Sequence, residues 1–162
     1  MAGLNAREYW LASFGRSQYV IDRNTEGISH EAALLQLPSG GNCMNWVLGH
    51  IAESRDEMLL MLGKPSIMAP QWIKRYEMDS PPVVDGSDAM PLAEILALLL
   101  QLKAAVMEAV TAADQEFLDE IVVPARSQSR WNRIEFMIWH EAYHIGQLEY
   151  LRHLAGHHER II

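Results

Sequence analysis

Cysteine is nearly absent: Cys43 is the only one in the chain. No disulfide can form within it, and a reducing compartment such as the cytoplasm is its simplest home. Positive charge is scarce as well. Thirteen Lys and Arg stand against 21 Asp and Glu, a formal charge of −8. Nucleic-acid binding is driven by Lys and Arg neutralising phosphates, and docking on anionic lipid draws on the same residues. Neither nucleic acid nor a membrane is expected as a partner. Strand signals are few: Ile121-Val122-Val123 is one short β-branched run, ended by Pro124. No stretch stays apolar for the ~20 residues of a membrane span. The most apolar one, Pro91 to Ala113, is interrupted by Glu94, Gln101, Lys103 and Glu108 and reads as an amphipathic helix with a wide apolar face. Between Met1 and Phe14 there is no basic start followed by an apolar core and a cleavage signal.

What is present is helical periodicity over a globular composition, 49% apolar and 21% charged in 162 residues. That length predicts a single domain, 1–162, with one sizeable core. A first helix is expected from about Leu4 to Asp22, with Leu11, Phe14 and Ile21 at helical spacing. A helical turn over 29–36 stops before Pro38, because the residue preceding proline avoids the α region. Asn42 is the expected N-cap of helix two, whose stripe is Met44, Val47, Leu48, Ile51, Met58 and Leu62, ending at Gly63-Lys64-Pro65. Residues 64–90, with four prolines and the Asp85-Gly86 turn signal, read as a long crossover loop, and Trp72 and Tyr76 within it suggest that it packs back on the domain. Helix three is expected from Pro91 to about Asp119. Helix four should start near Ser129 or Asn132 and reach Ala155, with Gly156 just past its end. The fold class is therefore all-α, a four-helix bundle with its long loop between helices two and three.

Helix four carries Trp139-His140-Glu141-Ala142-Tyr143-His144. Histidines four apart stack on one helix face about ~6 Å apart along the axis, and two neutral imidazoles so placed can share a divalent cation. His144 falls among Met137, Ile138 and Leu148, facing inward, and His140 is one turn earlier. His50, in Asn45-Trp46-Val47-Leu48-Gly49-His50-Ile51-Ala52, sits at the margin of the helix-two stripe. Buried imidazoles need partners, and one shared metal would satisfy all three. The alternative is three half-buried histidines hydrogen-bonded to backbone. His30, His153, His157 and His158 have no such company, and the last two are expected in solvent. Cys43 lies seven residues before His50, ~10.5 Å along a straight helix, too far to share its ion.

His140-Glu141-Ala142-Tyr143-His144 also matches the HExxH spacing of zinc peptidases. Such enzymes take a third ligand downstream. Here Glu149 and His153 are carried away along the helix, and Gln147 and Tyr150 stand where the extended motif wants Gly and His. Peptidase is a weak reading.

With these motifs the chain resembles the DinB-like (YfiT-like) family of bacterial four-helix-bundle metalloproteins. The likeness is sharpest in Asn45–Ala52, followed by Arg55 and Leu62-Gly63, and in His140–Leu148. It implies one divalent metal, zinc or nickel, held by His50, His140 and His144 with solvent in the open positions, and a homodimer. It implies too that Gln147 stands behind the ligands. Family members include thiol transferases using bacillithiol or mycothiol and a mycothiol-dependent maleylpyruvate isomerase. The function expected is thus a metal-dependent thiol S-transferase or hydrolase that activates a low-molecular-weight thiol or a water. Glu141 is either its proton acceptor or a surface carboxylate orienting an imidazole, and substrate contacts are expected on loop 64–90. The alternatives are a non-catalytic metal-binding stress module, in which the ion clamps helix two to helix four, and a metal-free interaction bundle.

Overall fold

The computed structural model describes residues 5–162. The expected start at Leu4 lies outside them. Helix α1 (Ala6–Thr25) begins at a capping box in which Asn5 and Glu8 satisfy each other's backbone N–H, and it buries Trp10, Phe14, Gln18 and Ile21 along one face. A single turn, α2 (His30–Ala33), follows its own cap, Ser29. Helix α3 (Met44–Met61) is buried along almost its whole length. Its N-cap is Cys43, which makes no side-chain capping bond, rather than Asn42. The thiol is fully buried, with Sγ 3.7 Å from the Val83 carbonyl, so this position was chosen by packing over capping.

The long loop carries a helix of its own, α4 (Pro70–Tyr76), with proline in its first turn. Side chains from α3 hold the whole segment down. The buried Asp56 carboxylate accepts from Ser66 Oγ and from the Ile67 and Met68 amides. Tyr76 Oη donates to Asn45 Oδ1 and accepts from the Met90 amide, while Asn45 Nδ2 donates to the Met90 carbonyl. The expected packing-back is therefore present.

Helix α5 (Leu92–Ala112) ends before the expected Asp119. Asp114 caps a new short helix, α6 (Gln115–Asp119), by accepting from the Phe117 amide, and that cap interrupts the run. By length and composition α5 could cross a membrane, yet Leu92, Ile95, Leu99, Leu102 and Val106 fall on one buried face while Glu94, Gln101 and Glu108 are exposed. It is the apolar wall of this core. Strand β1 (Ile121–Val123) pairs antiparallel with β2 (Gln128–Ser129) across a tight turn at Pro124–Arg126. Helix α7 (Arg130–Leu154) then starts at a second capping box, Ser129 with Asn132, and ends before Gly156, whose φ of 87° is the left-handed stop.

The four long helices close a ring in which α1 packs on α7, α7 on α3, α3 on α5 and α5 on α1. At its centre lies one guanidinium. Arg55 of α3, fully buried, donates to both oxygens of Glu141 on α7 at 2.8 Å, to Gln18 Oε1 on α1 at 2.9 Å, and to the Leu99 carbonyl on α5 at 2.7 Å. One side chain ties all four helices together.

A three-histidine centre between two helices

The face shared by α3 and α7 brings His50, His140 and His144 into one group. One ligand nitrogen from each lies within 4.8 Å of the others. The Nε2 atoms of His140 and His144 are 3.0 Å apart. Two nitrogens on a tetrahedral ion with bonds of about 2.0–2.1 Å stand ~3.3 Å apart, so small side-chain rotations fit this trio to a metal. Their rings meet nearly edge to face, with His50 4.8 Å from His144 and 5.2 Å from His140, centroid to centroid. The three rings form one group rather than three separate sites.

Each ring is held from behind. His50, 4% exposed, lies under Trp46, stacked at 4.8 Å. Its Nδ1 is 2.8 Å from the Tyr76 carbonyl at the end of α4. A carbonyl only accepts, so Nδ1 carries the proton and Nε2 is left bare for a ligand's role. The place of α4 depends on Gly49, one residue before His50: a Cβ there would lie 2.3 Å from the Tyr76 ring. His140 stacks on Phe136. His144 Nδ1 is 3.4 Å from Gln147 Oε1, the partner expected for that glutamine. Such outer contacts fix tautomer and ring orientation in metal sites.

Burial holds all three imidazoles below the ordinary histidine range. For His144 it acts with the neighbouring His50 and His140 to bring the pKa to about 4. For His50 burial outweighs the opposing bond to the Tyr76 carbonyl, and for His140 it is reinforced by His50. Near pH 7 all three are neutral, the protonation state metal binding needs.

Glu141 does not join the group. It is buried rather than on the surface, and both its oxygens are occupied by Arg55. The expected proton acceptor is therefore spoken for, and with it goes the catalytic base of the peptidase reading. The pattern was readable: Glu141 stands seven residues from both Ile134 and Leu148, in the middle of the apolar stripe. The carboxylate that does approach is Glu53, one turn after His50, with Oε2 3.7 Å from His50 Nδ1. Burial, and then the charges of Glu57, Glu77 and Asp56, push its pKa up to about 7. Of the other histidines, His30 accepts from the Leu92 amide and so caps α5. His157 is half-buried rather than in solvent, while His158 is exposed as expected.

Beside the cluster opens a cavity of about 590 Å³, lined by His144, Trp46, Tyr143, Gln147, Asn42 and Tyr150 among others. It lies between α3, α7 and the segment before α3, not on loop 64–90. Tyr76 is fully buried, and Trp72 packs against the core. Among the described residues no fourth His, Cys, Asp or Glu completes the trio. Three imidazoles with a position to spare is the open arrangement of catalytic rather than structural zinc sites.

The fold has solved counterparts. A conserved protein from Enterococcus faecalis superposes with a TM-score of 0.74 at 14% identity, over 94% of this chain and 98% of that one. No curated protein matches the chain. The family model of the DinB superfamily matches residues 14–148. That span runs from the middle of α1 to the last turns of α7 and holds every histidine of the cluster, and the chain belongs to the DinB superfamily.

Proposed function

We propose that the chain is a divalent-metal-dependent enzyme, holding zinc or nickel with His50, His140 and His144, that activates a thiol or a water for transfer or hydrolysis. One observation carries this reading: three neutral imidazoles converge, with no fourth ligand among the described residues, and one of them, His144, lines a cavity. Such an ion, when bound, supplies Lewis acidity that depresses the pKa of a coordinated thiol or water towards neutrality. The protein's own contribution is orientation. Tyr76 keeps the His50 proton on Nδ1, Gln147 turns His144, and Trp46 seals the buried side. Glu141 acts through position, since its bonds to Arg55 fix the turn of α7 between His140 and His144. A cytoplasmic location suits the buried lone thiol of Cys43. A homodimer suits the exposed aromatic side chains of α1 and α7, Tyr9, Tyr19 and Trp139 among them, and light scattering of the purified chain tests it.

The experiment is elemental analysis of protein purified without a tag, followed by thiol transfer to an epoxide. Stoichiometric metal, and turnover lost in His50→Ala, is the expected result. Full activity after the metal is stripped overturns the proposal. One observation favours a second reading, the non-catalytic clamp: the trio joins α3 to α7, two helices already packed together. It predicts a large fall in melting temperature on chelation and no turnover with any thiol.

A further inference from the structure

We infer that the cavity beside His144 receives a molecule with an uncharged, flat, ring-bearing body and turns away thiols or electrophiles whose bodies carry carboxylates. The inference rests on the enzymatic reading above and adds the class of substrate.

Its walls are the argument. Trp46, Tyr143 and Tyr150 present aromatic faces to about 590 Å³ of space, a volume within the range of sites for drug-sized ligands. Beyond His144 the polar groups are uncharged: the amides of Asn42 and Gln147 and the phenols of Tyr143 and Tyr150. With Oε1 directed to His144 Nδ1, Gln147 keeps its Nε2 to donate to an acceptor on the ligand. Among the described residues no Lys or Arg lines the cavity. A carboxylate on the body behind the head group would give up part of its water without meeting a Lys or Arg, a costly exchange. The lack is particular to this place. A cleft of about 510 Å³ between α1 and α7 has Arg16 in its wall, and one of about 460 Å³ near β1 has Arg126 and Arg133. Neither touches the three histidines. The chain's charge of −8 adds a potential that repels anions. The reacting head group at the imidazoles is read separately; the cavity reads the body behind it.

The test uses metal-free protein, so that no ion draws the probe, and titrates 2-naphthalenemethanol, 2-naphthoate and naphthalene-2,6-dicarboxylate by calorimetry. The neutral alcohol is expected to bind about tenfold or more tighter than the monoanion, with no saturable binding of the dianion. Tyr150 is 75% exposed, so its replacement is expected to leave the fold intact. Tyr150→Ala should weaken the alcohol by about fivefold. Tyr150→Lys should strengthen naphthoate by at least about fivefold, with an unchanged circular-dichroism spectrum. Equal or tighter binding of either carboxylate by the unaltered chain overturns the inference. So does an alcohol that fails to bind, or binds Tyr150→Ala just as well. A parallel zinc titration separates the two readings: zinc bound without the alcohol sinks the cavity inference alone, whereas the alcohol bound without zinc sinks the enzymatic reading.

Discussion

Two polar clusters lie almost side by side on the same pair of helices. Arg55 and Glu141 stand five and one residues beyond His50 and His140, and both clusters interrupt the apolar surface where α3 meets α7. In the first, the guanidinium is answered by a carboxylate, an amide oxygen and a carbonyl. In the second, ring nitrogens face one another. A buried polar group with its partners present stabilises or specifies a fold. Here the ring nitrogens converge on one another, with the Tyr76 carbonyl behind His50, the Gln147 amide behind His144 and the Phe136 ring against His140. Burial alone therefore does not distinguish the two clusters; what the buried atoms face does.

The largest expected effect breaks the first cluster. Arg55→Ala or Glu141→Ala leaves a buried charge alone and should cost about 3–5 kcal/mol, read as a shift of the urea midpoint. If Glu141→Ala instead keeps stability and loses only activity, the division drawn between the clusters fails. Breaking the second should behave oppositely. His140→Ala should abolish zinc binding by calorimetry while moving the melting temperature of the metal-free protein by only a few degrees.

Gly49→Ala probes the link between the two regions and the loop. Its methyl has no room against Tyr76. About 1–3 kcal/mol of destabilisation is expected, with metal affinity reduced about 10–100-fold because the carbonyl behind His50 is displaced.

The smallest effect is in pH. His50, His140 and His144 bind protons more readily unfolded than folded, so their contribution to stability is present above pH 6.5 and lost as pH falls through their lowered folded pKa values, about 4 for His144. Glu53 has the reverse sign: its folded pKa of about 7 makes stability fall as pH rises from 4.5 to 7. The two partly cancel in the metal-free chain. In Glu53→Gln, urea midpoints should climb more steeply between pH 4.5 and 6.5. An unchanged slope would show that Glu53 ionises normally.

Much of this was legible in the chain. Ser129 with Asn132, Gly63 and Gly156 announced helix ends, and the paired spacing of His140 and His144 announced a shared face. Other features escaped for physical reasons. Asp114 reads as one more polar residue in a helical run until its side chain is seen on the Phe117 amide. Glu141 has the spacing of a peptidase base, yet its partner comes from 86 residues away. Trp72 and Tyr76 look like contact residues in the sequence, whereas Tyr76 is spent on Asn45, Met90 and His50.

Local order, the helical class and the identity of three candidate ligands were written in residue spacing, because periodicity and caps act over a few residues. Which carboxylate met Arg55, which nitrogen of His50 kept its proton and where a cavity opened depended on helices far apart in sequence. Those are matters of distance and desolvation, and they exist only once the ring of helices has closed.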